Sequence, residues 1–369
     1  MKNHQKKSIT AILAKPWWQI GQENTINYKI MKSIIRTSYI LPKNFRKNIF
    51  SFFDEVFFLI SRLFSILNQI SLTAYIFTGK EKNSKEKIKI MYISNTTFDP
   101  YISKLIFLDQ PKMENKFKIN IINYKKKIKK LNSKIDGILL KNDRFYSGYF
   151  EKQGFTSIPE WISTKLYITE SWDNYKKNLS KSVKEDLRKI KKNKFTYEIS
   201  HEKDKIKMFY YKMYLPYITK KYRKIESCAH FYAIKHLFET GNEILFIKQN
   251  DEYIFGGVFL KKKNKIYASY AGVMQGKYDY IQKGAIAASY YYLIQHSIEN
   301  NAKEIDLGSC RPFVNDGLFS YKKKWGAEIE KMGNECPQNY FFKVVNNKKS
   351  IKKFLSSNPA ITMEKNHIH

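Results

Sequence analysis

The stretch Lys283–Gly326, KGAIAASYYYLIQHSIENNAKEIDLGSCRPFVNDGLFSYKKKWG, decides how the chain folds. In its first half Ile286, Tyr290, Leu293, Ile294 and Ile298 recur on one face of a 3.6-residue period, so a helix is expected there. Glu304–Gly308 then reads as a short strand running into a turn-rich loop that gathers Asp306, Arg311, Asp316, Tyr321 and Lys322. Polar groups packed this densely beside a strand end are costly to bury unpaired, which marks the loop as a candidate site.

Immediately upstream the period is two. Glu243–Gln249, Tyr253–Leu260 and Lys265–Val273 read as three strands joined by the polar turns Asn250–Asp251 and Lys261–Asn264, an antiparallel meander. A helix connecting such a meander to a further strand is a crossover, so Glu304–Leu307 is expected parallel to an existing strand, in the order β-β-β-α-β. Gly272, Gly276 and Gly284 bracket the junction between meander and helix. Glycine there lets backbone approach a ligand, and a helix start offers free amides, although the spacing is not that of a P-loop.

Trp172–Asn193 reads as a second helix, with Trp172, Tyr175, Leu179, Val183, Leu187 and Ile190 on one face and Ser171 as N-cap. Its other face carries Lys176, Lys177, Lys181, Lys184, Arg188, Lys189, Lys191 and Lys192, which an anionic neighbour or plain solvent would satisfy. Helices are expected at Lys203–Tyr214, ended by Leu215-Pro216, and at Ala229–Glu239, ended by Gly241.

Toward the N-terminus, Ile88–Ile93, Lys104–Leu108, Phe117–Ile122 and Ile135–Leu140 read as short strands, with the lysine-rich run Tyr124–Lys130 as a solvated face. Phe45–Phe77 is very apolar but is interrupted by Asp54, Glu55, Arg62, Asn68 and Gln69, so a spanning helix is not expected. Two readings stay open: helices packed on the main body, or an interfacial helix with Lys29, Lys32, Arg36, Lys43, Arg46 and Lys47 as its basic flank on the inner membrane. The resulting division is a helical extension over 1–80, an α/β half over 81–168 that could hold a degenerate first copy of the later fold, a catalytic domain over 169–345 and a basic tail over 346–369.

With 369 residues the chain is long enough for two cores. Lysine and arginine number 67 against 33 acids, a formal charge of +34 that favours anionic partners. The lysine excess travels with abundant Ile, Asn, Tyr and Phe, so coding bias explains it equally well. Three cysteines, Cys228, Cys310 and Cys336, without a Cys-x-x-Cys pair argue against a disulfide framework or a zinc site. Cys228, His230 and His236 are too loosely spaced for a metal, and Cys310 has no neighbouring histidine in the sequence to activate it. The first 16 residues lack the pattern of a secretory signal, so a cytoplasmic protein is expected.

The β-β-β-α-β order, together with Gly284, Asp306-Leu307-Gly308, Arg311-Pro312-Phe313, Asn315-Asp316-Gly317, Tyr321-Lys322 and Trp325-Gly326, resembles the acyl-CoA N-acyltransferase (GNAT) fold. Within it the segment is similar to the branch of CelD-like acetyltransferases and FemAB aminoacyltransferases, as is the basic helix LSKSVKEDLRKIKKN at Leu179–Asn193. The resemblance spans Gly154–Ile329, about half the chain. The phosphate loop departs from the family's pattern: Gln282-Lys283-Gly284-Ala285-Ile286-Ala287 has Ala285 where the first glycine should fall. No internal repeat is visible.

The resemblance implies a mixed sheet with parallel final strands and transfer of an acyl group to an amine in a ternary complex. The donor it implies is acyl-CoA, acetyl-CoA in particular, with backbone of Val273, Met274, Gln275, Gly276, Gly284 and Ala285 holding it and no metal. Asp306 is then the candidate base or amine-orienting group, and Tyr321 and Lys322 candidate oxyanion or phosphate contacts. Arg311 would bind an acidic group of the acceptor and Asp316 would fix that arginine. The acceptor is expected to be a small-molecule, glycan-linked or lipid-linked amine of the cell envelope, with no DNA partner. Alternatives are a FemAB-like aminoacyltransferase using charged tRNA, and a non-catalytic binding protein on the same fold.

Overall fold

A computed structural model describes residues 63, 66–122, 124, 134–177, 179–222, 228–239, 241–331, 337–364 and 367–368. The elements begin with β1 (Ser71–Lys80), β2 (Lys87–Ser94), α1 (Pro100–Ile106), β3 (Lys112–Asn120), β4 (Gly137–Asp143), α2 (Ser147–Glu151), β5 (Thr156–Pro159) and β6 (Ile162–Tyr167). They continue with α3 (Trp172–Lys177), α4 (Val183–Lys192), β7 (Thr196–Ser200), α5 (Lys203–Met208), a π-helical turn (Phe209–Tyr214), α6 (Leu215–Tyr222) and α7 (Phe231–Glu239). Next come β8 (Asn242–Gln249), β9 (Glu252–Lys262), β10 (Lys265–Val273), α8 (Tyr278–Lys283), α9 (Ala285–Glu299), β11 (Glu304–Cys310) and α10 (Gly317–Lys324). The chain closes with β12 (Glu328–Lys331), β13 (Gln338–Val344), α11 (Lys349–Ser357), β14 (Met363–Glu364) and β15 (His367–Ile368).

Among the described residues the strands form two sheets, ordered β15-β14-β5-β13-β4-β2-β1-β3 and β12-β6-β11-β10-β9-β8-β7. Each sheet belongs to one compact unit. One unit takes the chain up to Ile162, the loop Cys310–Ser320 and everything from Lys331 onward; the other takes Ser163–Ser309 and Tyr321–Glu330. The chain is thus of the mixed α/β class expected. The expectations for 1–62, for the run 125–130 and for Cys336 lie outside the described residues.

In the eight-stranded unit β2 and β4 pair in parallel from Ile90–Gly137 to Ile93–Leu140 and are buried on both faces, which explains their unbroken apolar runs. Ser71–Phe77, expected to close a helical stretch, is strand. Leu72, Ala74 and Ile76 alternate along it and pack with Met91 and Ile93, so a period of two outweighs overall apolarity. Lys104–Leu108, expected as strand, is mostly the end of α1. Asp99 Oδ1 accepts the Tyr101 amide at 2.8 Å and Pro100 opens the helix, a start signal that the apolar run masks.

The seven-stranded unit contains the meander as expected: β8, β9 and β10 are antiparallel, with Asn250 and Asp251 both left-handed in the tight turn. Gly256 on β9 faces Gly272 on β10. A Cβ on Gly272 would lie 2.4 Å from the Tyr214 amide nitrogen, and one on Gly256 2.8 Å from the Phe209 ring. The two glycines therefore form a bare lane on which the π-helical turn lies, and Gly272 serves packing rather than ligand approach. Leu215-Pro216 does not end the helix as expected, because Pro216 falls in the first turn of α6 where its missing N–H costs little.

Trp172–Asn193 is two helices rather than one. Ser180 and Ser182 share a hydroxyl bond of 3.0 Å and the Ser180 amide turns to the Lys324 carbonyl, side-chain and backbone competition that breaks the helix. The expected cap is present, with Ser171 Oγ accepting the Asn174 amide at 3.3 Å. After the meander α9 crosses over and β11 returns parallel to β10, as expected.

Candidate active site

The ladder between β10 and β11 is short. It runs over Lys265–Glu304, Ile266–Ile305 and Tyr267–Asp306, and stops there among the described residues, while β10 continues along β9 to Val273. At the same level β10 shifts register against β9 between Ala268 and Tyr270, leaving Ser269 as a bulge. Ser269, Ala271 and Ser309 are solvent-exposed although their strands lie inside the sheet. Past Tyr267 and Asp306 the sheet is therefore open, with backbone donors and acceptors lining the gap.

Asp306 stands where the gap begins. Its Oδ1 accepts the Gly308 amide at 2.7 Å, closing a turn in which Gly308 is left-handed at φ 71°. The turn directs three successive carbonyls to one ammonium: Lys322 Nζ donates to Leu307 O at 2.9 Å, Gly308 O at 3.0 Å and Ser309 O at 3.2 Å. Lys322 is buried, and Thr164 Oγ1 donates to the same Gly308 carbonyl at 2.8 Å. Tyr321 turns into the core instead, edge-on to Tyr290 with ring centroids 5.4 Å apart. Burial pushes its phenol above the ordinary range, and the Asp186 carboxylate adds to the rise.

The residues expected to hold a donor fall into two groups. Val273 is buried, and Met274–Gly276 form a 3-10 turn with Gln275 and Gly276 both left-handed. The Lys220 ammonium bonds the Gln275 carbonyl at 3.0 Å, and Met274 and Gln275 line an open cavity of about 310 Å³ with Tyr253, Lys277 and Tyr280. Gly284 and Ala285 come one short helix later. Gly284, at φ 103°, ends α8 and opens α9, where Ala285, Ala287 and Ala288 are buried. Helix α4 packs there: Asn193 Nδ2 donates to the Lys283 carbonyl at 3.1 Å, and a Cβ on Gly284 would lie 3.2 Å from Lys189 Cβ. The basic helix thus sets a lysine beside the opening amides of α9, while Lys184, Arg188, Lys191 and Lys192 stay exposed.

Arg311 and Asp316 are in the eight-stranded unit and do not pair. The Arg311 guanidinium bonds Asp99 Oδ2 at 3.0 Å and the Tyr340 hydroxyl at 3.3 Å, with Glu160 at 3.7 Å, and lies over the Trp161 ring at 4.1 Å. Asp316 instead caps α10 through the amides of Leu318 and Phe319, and accepts the Tyr101 hydroxyl at 3.0 Å. The expected Arg311–Asp316 bridge is thus replaced by two separate roles, because a short Asp beside a helix start meets its own amides first. Burial opposes charge on both Asp99 and Arg311. Arg311, the Tyr340 hydroxyl and the Tyr101 amide nevertheless hold the Asp99 carboxyl below its usual range, and Tyr340, Asp99 and Glu160 raise Arg311.

Asp99, Glu160, Trp161, Thr164 and Tyr340 escape a reading of the sequence. Only Asp99 carried a local signal, the Asp-Pro of a helix start. Cys310 is buried, and among the described residues no group of His, Cys, Asp and Glu could hold a metal ion. Among them, too, no helix is long and apolar enough to cross a membrane.

No family model and no curated protein matches the chain. Solved structures to which it is similar include FemX, 14% identical over 77% of this chain and 85% of that one, TM-score 0.40. L-PGS from Bacillus licheniformis is 10% identical over 77% of this chain and 88% of that one, TM-score 0.36. A GCN5-related N-acetyltransferase from Anabaena variabilis is 7% identical over 74% of this chain and 59% of that one, TM-score 0.26.

Proposed function

We propose that the chain is a GNAT-type acyltransferase that moves an acyl group, acetyl from acetyl-CoA, onto an amine of a cell-envelope or surface-glycan precursor. The observation that carries this reading is the gap between β10 and β11, opened beside a bulge at Ser269. An extended amide-bearing donor suits such a gap, since it replaces the ladder bonds the strands do not make with each other. Its phosphates would meet the first amides of α9 and Lys189. The amine attacks the acyl carbonyl, the Ser269 bulge supplies amide hydrogens for the developing oxyanion, and Asp306, with Oδ1 held by Gly308, keeps Oδ2 for the ammonium proton. The acceptor is small, or carried on a glycan or lipid, with the reaction at the cytoplasmic face of the inner membrane and no part for DNA.

A second donor is favoured by one specific observation. The exposed cations of α3 and α4 form a surface suited to a phosphate backbone, so an aminoacyl-tRNA is the alternative. Thermal unfolding with acetyl-CoA, with uncharged tRNA and with aminoacylated tRNA, at low and moderate salt, separates the two. A ligand at a hundred times its dissociation constant adds about 2.7 kcal/mol. A salt-tolerant rise with acetyl-CoA is expected; a rise only with aminoacylated tRNA transfers the assignment to the second donor, and no rise with any of the three rejects both.

A further inference from the structure

Lys322 was expected to touch the reacting groups, yet its ammonium is spent on the protein's own backbone. A lysine has three N–H donors and no acceptor. Here it meets three consecutive carbonyls, those of Leu307, Gly308 and Ser309, at 2.9, 3.0 and 3.2 Å, from a buried side chain. Successive carbonyls of a regular strand point to opposite sides, so a single ammonium can collect three only where the strand curls. The curl is visible: Gly308 is left-handed at φ 71°, and Asp306 Oδ1 turns back to its amide. It begins at the residue where pairing with β10 ends.

We infer that Lys322 is a positioning residue, a clamp that keeps the end of β11 from zipping onto β10 and so maintains the gap. The carbonyls that would prolong the ladder past Tyr267–Asp306 are instead held toward α10. Thr164, from β6 on the other side of β11, pulls on the middle carbonyl. The inference rests on the gap being the donor site, but the clamp itself can be tested without a donor.

The experiment is hydrogen exchange on the ligand-free full chain, comparing the original protein with K322M and K322R and following amides 268–273 and 307–310. Without the ammonium the three carbonyls are left unsatisfied, and the nearest donors are the unpaired amides of β10. In K322M exchange at 268–273 should slow by about tenfold, the worth of a typical backbone hydrogen bond, while K322R keeps the original pattern. Acetyl-CoA affinity should fall in K322M and recover in K322R, which a group acting only on the reacting atoms would not cause. Unchanged or faster exchange at 268–273 in K322M overturns the clamp. Should K322M not fold, T164V decides: about threefold slowing over the same amides supports the clamp, and no slowing overturns it. Failure of acetyl-CoA to bind the original protein would reject the donor assignment while leaving the exchange result to stand or fall by itself.

Discussion

Gly272 shows how one residue carries more of the fold than its chemistry suggests. A methyl group there would sit 2.4 Å from the Tyr214 amide nitrogen and 2.5 Å from the Met213 carbonyl carbon, backbone that cannot rotate away. Overpacking of this kind costs about 3 kcal/mol, at the upper end of its usual range. Gly272→Ala should therefore lower the melting temperature by roughly 6–12 °C for a unit of this size. Gly257→Ala, next along the facing strand and with the nearest atom 3.5 Å away, should change it little. Equal shifts in the two variants would mean that the glycine lane does not set the spacing of sheet and π-helical turn. Gly272 was visible in the sequence as a position needing close approach. That the approaching group is a turn sixty residues earlier, not a ligand, depends on tertiary register, which no local pattern encodes. Asp316 teaches the same lesson, since its neighbours in the loop suggested Arg311 while its own helix start claimed it.

At the scale of an element, α4 is the part whose sequence and structure agree most closely. Val183 and Ile190 are buried, Glu185 and Asp186 occupy the first turn, and Lys189, Lys191 and Lys192 the last, complementing the helix dipole. The cost lies along its solvent face, where Lys184 and Arg188 are like charges four apart. Lys184→Glu turns that repulsion into a favourable pair and should stabilise the unit by about 0.5–1 kcal/mol, read as a rise in thermal midpoint at low salt that disappears at high salt. The same change should flatten the salt dependence of tRNA binding by about two units of slope, one for the cation lost and one for the anion gained. Stabilisation with unaltered tRNA binding would leave the face to solvent. Periodicity made α4 legible because its pattern is local; the break at Ser180–Ser182 was not, because it rests on a bond to Lys324, far along the chain.

At the scale of the whole molecule the chain leaves the seven-stranded unit after Ser309, spends Cys310–Ser320 in the eight-stranded unit and returns at Tyr321. The excursion is anchored by charge. Arg311 is held by Asp99 and Glu160, Glu160 by Lys141 at 2.6 Å, and all four side chains are at most 15% exposed. Such a network is worth little against apolar packing of equal volume, but breaking it strands a buried charge at about 3–5 kcal/mol. Its pH dependence follows from Asp99, whose folded carboxyl titrates below its unfolded value. A carboxyl depressed in this way contributes stability that is fully present above the unfolded value, near pH 4, and is lost as pH falls through the folded one. The eight-stranded unit should therefore weaken steeply between about pH 4 and pH 2, with the Trp161 emission, stacked on Arg311, reporting it. Asp99→Asn should be less stable than the original by about 3–5 kcal/mol at pH 7 and should lose less on acidification, so that the two stability curves converge at the acid end. Urea unfolding at a series of pH values measures both curves. Parallel curves would show that Asp99 is not the group that senses acid and that the loop is held by its apolar contacts, Phe313 against Tyr101 foremost.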